Sequence, residues 1–244
     1  MNIALFGHLL SRTLRGKRFL GMSALASVGG IAAWVSMAGL NTDDSVGVYQ
    51  VVTSSVPAAT LSIALLILAT ATLRDERDGG TLPYVFATPM SAVTFAASSI
   101  AASLVAALTV AMIGWLPGWI GSWVITGSAT VALPALALYA AAAVGYGAVF
   151  APLGYLFDRT LIIGLAYIFV WEGILATAVS GIAASSIWRI AMSAYADLDQ
   201  LHPDALDDRN LLEPGRWGAA ATLLILTGLG AMVLTWAVRS RDAV

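Results

Sequence analysis

Six long apolar segments recur along the chain and are separated by shorter polar or charged stretches. A helix of about 20 apolar residues is long enough to cross the hydrocarbon core of a bilayer, which is roughly 30 Å thick. The pattern therefore predicts an all-α integral membrane protein with six transmembrane helices. No repeat or low-complexity linker divides the chain, so we treat residues 1–244 as one membrane domain. The predicted spans are 19–40, 51–73, 92–113, 131–157, 161–182 and 217–238.

The first 18 residues carry an amphipathic pattern. Apolar side chains recur there at helical spacing, while Ser11, Arg12 and Arg15 fall on other faces. Such a helix lies in the headgroup region with its apolar face toward the acyl chains. We expect residues 1–18 to form an interfacial helix; a simple charged flank before the first span is the alternative. The apolar positions are Ile3, Phe6, Leu10 and Leu14.

Composition excludes several classes of protein. Hydrophobic residues make up 59% of the chain and charged residues 11%, whereas soluble domains are roughly 45–50% apolar and about 25% charged. The net charge of −2 offers no basic face for nucleic acid. The chain has no cysteine and two histidines, so disulfides and thiolate metal sites are impossible and a histidine-rich metal centre is not expected.

The basic residues are unequally divided between the two predicted sides of the membrane. Lys and Arg favour cytoplasmic loops, and an even number of spans places both termini on the same side. Only Arg189, Arg209 and Arg216 fall on the other, external side. We therefore expect both termini to be cytoplasmic. The residues assigned to the inside are Arg12, Arg15, Lys17, Arg18, Arg74, Arg77, Arg159, Arg239 and Arg241.

Tryptophans and glycines in the spans fit this arrangement. Trp115, Trp119 and Trp123 repeat every four residues, which is typical of interfacial anchors, with an aromatic stacking site for a substrate as the alternative. The pairs Gly114 with Gly118 and Gly145 with Gly147 would allow helices to approach closely. These small residues predict a tight bundle and carry no specific function.

The loop at residues 74–91, RDERDGGTLPYVFATPMS, carries the most information about function. Five consecutive charged residues, 74–78, lie directly beneath the membrane, and Gly79 and Gly80 permit a sharp turn. Thr81 is a suitable N-cap for a short helix at 82–88, which Pro89 would stop. Ser91 would cap the start of the third span.

The short helix predicted in this loop would place Tyr84, Val85 and Phe86 below the membrane. Exposed apolar side chains next to charges are typical of a docking surface for another protein. The alternative is that Tyr84 and Phe86 only rest against lipid headgroups.

The loop resembles that of the type-2 ATP-binding-cassette (ABC) export permease family. In that family an acidic residue lies four positions before Gly-Thr-Leu, and a short helix then leads through Pro-x-Ser into the third span. The resemblance extends to the basic N-terminal helix, the six-span layout and the long external segment before the last span. The matching residues here are Glu76, Gly80, Thr81, Leu82, Pro89 and Ser91.

The resemblance implies a function for the whole chain. In the family, this loop forms a coupling helix that sits in a groove of a separate ATPase subunit, and two ATPases drive two permease subunits. The chain contains no G-x-x-x-x-G-K-[ST] loop, so ATP and Mg²⁺ would be bound by the partner ATPase and no cofactor by the chain itself. We expect a second permease subunit, identical or homologous, surrounding lipid, and a bacterial plasma membrane. Export and this location follow from the resemblance alone.

Glu172 is the second candidate residue because it lies inside the fifth predicted span. An ionisable group at that depth costs about 2.5–3.5 kcal/mol on insertion scales and usually faces protein or water. It is either an acid that gates or lines a transport path, or a structural group paired with a hydroxyl, a backbone group or Arg189. In the first case the chain could be a secondary active transporter with Glu172 as its coupling residue, which is our alternative function.

Residues 183–216 are too polar at their centre to span a membrane. Their first half keeps an apolar face, which predicts a re-entrant or external interfacial helix. The acidic residues that follow lack the spacing of a calcium loop, so we interpret them as a solvated cap. Neither carboxylate pairs nor histidines are placed for acid–base chemistry, and we assign no catalytic residues or metal site. By this interpretation the chain is not an enzyme by itself.

Overall fold

The structure is a computed structural model that describes residues 2–79, 90–176, 185–198 and 215–241. Every regular element in these ranges is helical. The last part of the sixth helix is a π-helix, Tyr167–Leu175, which continues directly from an α-helical first part. The helices are α1 (Ile3–Arg15), α2 (Lys17–Met37), α3 (Thr42–Asp78), α4 (Ala92–Thr126), α5 (Leu133–Leu156), α6 (Thr160–Ala166 with its π-helical continuation), α7 (Ile187–Leu198) and α8 (Gly215–Arg241).

Five of the described helices are long and apolar enough to cross a membrane, namely α2, α3, α4, α5 and α8. The prediction of an all-helical integral membrane protein is thereby confirmed. Helix α6 is apolar but shorter, and its described part ends where residues 177–184 begin. The sixth crossing therefore stays a prediction.

The long helices form one bundle around α4 and α5. Helix α2 packs in the angle between α3 and α4, while α5 contacts both of them. Helix α7 is largely buried between α5 and α8, and α6 lies at the side of the bundle against α3 and α5. The predicted N-terminal helix is present as α1, which packs across α4 and touches the ends of α2 and α3.

Helix α3 is longer at both ends than the predicted span 51–73. It begins at Thr42, where the Asn41 side chain accepts a hydrogen bond from the Asp44 amide at 2.9 Å. It continues to Asp78, and Arg74 and Asp78 pair one turn apart at 3.1 Å. Residues 74–78, which the sequence assigned to the loop, are therefore helical, and the predicted turn at Gly79 follows the end of α3. Charged residues continue a helix readily once its end leaves the apolar layer.

The predicted close approach of helices at small residues is confirmed. A Cβ atom on Gly114 would lie 2.9 Å from the Ala26 carbonyl oxygen of α2, and one on Gly154 would lie 2.4 Å from the Thr70 carbonyl oxygen of α3. Real Cβ atoms do not approach a backbone oxygen so closely. Glycine is therefore required at Gly154 for α5 to pack directly on the backbone of α3.

Two of the predicted anchor tryptophans also tie down a loop. The indole nitrogen of Trp115 donates to the Ala132 carbonyl at 2.9 Å, and that of Trp119 donates to the Ala129 carbonyl at 3.0 Å. Their rings stack with centroids 5.5 Å apart. Helix α4 continues past the predicted end of its span to Thr126, so these side chains fasten the α4–α5 connection to α4 itself.

Candidate functional site

Of the residues predicted to couple to an ATPase or to gate a transport path, the structure describes three, Glu76, Ser91 and Glu172. Ser91 is the N-cap of α4, and its hydroxyl accepts from the Thr94 amide at 3.2 Å, as predicted. Glu76 and Glu172 belong to two separate clusters: Glu76 lies in the last turn of α3, and Glu172 lies beside Tyr146, near the middle of α5. The remaining predicted coupling residues are outside the described part of the chain and are Gly80, Thr81, Leu82, Tyr84, Val85, Phe86 and Pro89.

Glu76 is a buried acid in the last turn of α3, with 2% of its surface exposed. The Arg12 guanidinium of α1 donates to its carboxylate, and the His8 ring nitrogen lies 3.5 Å from the same oxygen. A buried carboxylate needs such partners because leaving it unpaired costs several kcal/mol. Glu76 therefore fixes α1 onto the end of α3.

A second ion pair strengthens this connection. The Arg18 guanidinium at the start of α2 donates to both carboxylate oxygens of Asp75, at 2.6 and 2.7 Å. Both side chains are substantially exposed, so this pair contributes less than the buried one. We call His8, Arg12, Arg18, Asp75 and Glu76 the charge cluster.

The same end of α3 is also fixed to the end of α5. Arg77 donates to the Tyr155 carbonyl at 2.9 Å and pairs with Asp158, just beyond the last turn of α5. A cation near the last carbonyl groups of a helix is favoured by the helix dipole. The residues that precede Gly79 are therefore held by α1, α2 and α5 at once.

Glu172 lies in the π-helical part of α6. A π-helix carries one extra residue per turn relative to an α-helix and is frequently found at functional positions. The Tyr146 hydroxyl of α5 donates to the Glu172 carboxylate, and the Ser186 hydroxyl lies 3.2 Å from it. The Trp188 amide donates to the carboxylate at 3.0 Å. All these donors are uncharged, and Arg189 contributes no ion pair to Glu172 within the described ranges.

One of the hydrogen-bond donors to Glu172 is a backbone amide in the first turn of α7. The Trp188 backbone amide donates to the Glu172 carboxylate. The next two hydrogen bonds are also donated by amides of this first turn: Ile187 donates to the Tyr167 hydroxyl at 3.2 Å, and Arg189 donates to the Ser186 hydroxyl at 3.2 Å. A negative charge at the N-terminus of a helix is stabilised by the helix dipole and by the unpaired amides there. We call Glu172, Tyr146, Tyr167, Ser186 and Trp188 the Glu172 cluster.

Aromatic packing holds the Glu172 cluster in place. The Tyr146 ring is fully buried and stacks on Phe150, with centroids 5.9 Å apart. Phe150 contacts the Tyr167 ring edge-on, also at 5.9 Å. The cluster joins α5, α6 and α7 through one carboxylate, so movement of any of these helices must change its hydrogen bonds.

Sequence reasoning found the two acids and missed most of their partners. The basic residues before the first span and the acidic residues after the second are complementary in charge, and that signal could have predicted the pairing of Arg12 with Glu76. Tyr146 gave no signal, because a tyrosine in an Ala- and Gly-rich helix is equally consistent with simple packing. Comparison with protein-family models and with curated protein sequences finds no match to the chain.

Proposed function

We propose that this chain is the transmembrane permease subunit of an ATP-driven exporter of the ATP-binding-cassette class. In this proposal the chain crosses the membrane six times, both termini are cytoplasmic, and the membrane is a bacterial plasma membrane. Two permease subunits and two separate ATPase subunits form the complex. The ATPases bind ATP and Mg²⁺, and the chain transmits their movement to the transport path.

The observation that carries this proposal is the placement of Glu76. It is the acidic residue of the motif that resembles the export permeases, and it is buried against Arg12 at the end of α3. Because Asp75 and Arg77 are also paired, with Arg18 and Asp158, the chain leading to residues 80–89 starts from a fixed position. A force applied to that segment by an ATPase is therefore transmitted to α1, α3 and α5 rather than absorbed by a loose loop.

The test is purification of the tagged chain from its native membrane in mild detergent, with mass spectrometry of accompanying proteins and an ATP hydrolysis assay. We expect an ATPase with a phosphate-binding loop to co-purify. The double variant Tyr84→Asp with Phe86→Asp should lose it, while Trp236→Phe on the exposed face of α8 should retain it. Purification without any ATPase, or retention of the ATPase by the double variant, contradicts the proposal.

A second candidate function is supported by Glu172. Secondary transporters use ionisable groups inside the membrane to couple ion movement to transport, and the donors to Glu172 in the described ranges are all uncharged. This function predicts proton-coupled transport in proteoliposomes without nucleotide, abolished by Glu172→Gln. Transport that needs ATP and a partner ATPase excludes it.

A further inference from the structure

A cavity of about 280 Å³ lies between α1, the beginning of α2 and the last turns of α3. It is smaller than the roughly 300–1,000 Å³ typical of sites for drug-sized ligands. One wall is apolar and includes Leu9, Leu68 and Ala71, while the rim carries five charged side chains. The charged rim residues are Arg12, Lys17, Arg18, Asp75 and Glu76.

The charges on the rim leave one cation in excess. Arg12 pairs with Glu76 and Arg18 pairs with Asp75, so each carboxylate already has its own counterion. Lys17 is exposed and makes no ion pair or hydrogen bond to any other described residue. The rim therefore repels metal cations and amines and attracts a single negative charge.

The position of the cavity relative to the membrane limits what can reach it. Lys17 is the first residue of α2, an apolar helix of 21 residues that is long enough to cross the bilayer. The rim therefore lies at the depth of the lipid headgroups. Leu20, three residues after Lys17 and on the same side of the helix, is 70% exposed, as expected for a side chain that faces the acyl chains.

We propose that this cavity binds the headgroup of an anionic phospholipid. Lys17 would contact the phosphate, with Arg18 and Arg12 on either side, and one acyl chain would run along Leu20. Guanidinium and ammonium groups are the side chains that recognise phosphate best, and basic pockets at the membrane surface select anionic headgroups. A soluble phosphate would gain nothing from the apolar wall, and a zwitterionic lipid would leave the excess positive charge unmatched.

This inference does not depend on the transport function proposed above. The test is native mass spectrometry of the delipidated full-length chain in detergent, titrated with phosphatidylglycerol and with phosphatidylcholine of the same acyl chains. We expect tighter binding of phosphatidylglycerol, an affinity about tenfold lower in Lys17→Gln, and recovery in Lys17→Arg. Millimolar inorganic phosphate should not compete.

Arg15→Gln is the matched control, because Arg15 is exposed, carries the same charge and lies two residues away but outside the cavity. It should change the affinity for phosphatidylglycerol less than twofold, which is the scale of a screened surface charge. An equal loss in Arg15→Gln and Lys17→Gln would show attraction to the surface as a whole and overturn the site. Equal binding of the two lipids also overturns it, and competition by inorganic phosphate would assign the cavity to a soluble anion.

Discussion

The Tyr146 hydroxyl of α5 donates a hydrogen bond to the Glu172 carboxylate of α6, and the same carboxylate accepts from the first turn of α7. Three helices thus share one acidic group. A hydrogen bond to a charged group contributes about 1.5–3 kcal/mol, more than one between neutral groups. The junction is therefore a specific polar contact within an otherwise apolar region of the bundle.

The variant Tyr146→Phe should lower the free energy of unfolding in detergent by about 1.5–3 kcal/mol. The ring still packs on Phe150, but the Glu172 carboxylate loses a hydrogen-bond donor. Tyr139→Phe is the control: Tyr139 is equally buried in the same helix but lies outside the Glu172 cluster. In a double-mutant cycle with Glu172→Gln, the two effects should not add. Additive losses would mean that the two side chains do not interact.

Replacing Gly154 by Ala should destabilise the bundle by about 1–3 kcal/mol, since the new methyl group would overlap the Thr70 carbonyl oxygen. The same substitution at Gly228 in α8 meets nothing within 4 Å and should stabilise by up to about 1 kcal/mol through helix propensity. Thermal unfolding in detergent, followed by circular dichroism, compares the two. A gain in stability at Gly154 would refute the direct packing of α5 on α3.

Arg12→Gln should loosen the end of α3, because the buried Glu76 carboxylate loses the guanidinium that pairs with it. We expect faster amide hydrogen exchange across residues 72–79 and a free energy of unfolding lower by about 1–3 kcal/mol. The loss is moderate because the Arg12 side chain is partly exposed to solvent. Arg18→Gln removes the more exposed pair with Asp75 and should cost no more than about 1 kcal/mol. An equal effect of the two variants would contradict the special role of burial.

The sequence contains no cysteine. Single introduced cysteines can therefore be used to count the membrane crossings. Single cysteines at exposed positions Thr130, Asp158 and Ser240 can be labelled in intact cells with a membrane-impermeant maleimide. Six crossings predict that only Thr130→Cys reacts before the membrane is permeabilised. If α6 does not cross, Ser240→Cys reacts from outside as well.

Hydropathy predicted the positions of the five long apolar helices but misjudged where some of them end. Apolar windows stop at the first charge, so the sequence placed a loop at Arg74, whereas the pairing of Arg74 with Asp78 carries α3 one turn further. Likewise α4 runs through Pro117 to Thr126, beyond the predicted end of its span at residue 113, and Trp119 in this extension donates to the Ala129 carbonyl. Window hydropathy contains no information about these side-chain contacts.

The sequence predicted the candidate sites only where an ionisable side chain stands in an apolar environment, because placing a charge there costs free energy. Glu172 is conspicuous because an acid in an apolar span requires a partner, and the classes of partner named from the sequence include the hydroxyl and backbone groups found. Which hydroxyl it is depends on how α5 faces α6, a relationship across 26 positions that no local pattern encodes. Its role in transport stays a prediction.

The length of α3 has a mechanical consequence. Pro57 lies inside this helix, and a proline interrupts the hydrogen-bond ladder where a helix bends most easily. At about 1.5 Å per residue, the segment from Pro57 to Asp78 is a lever arm roughly 30 Å long. A bend of about 10° at Pro57 would therefore displace Asp78 by about 5 Å, and α1 and α5, which are paired with this end of α3, would have to move with it.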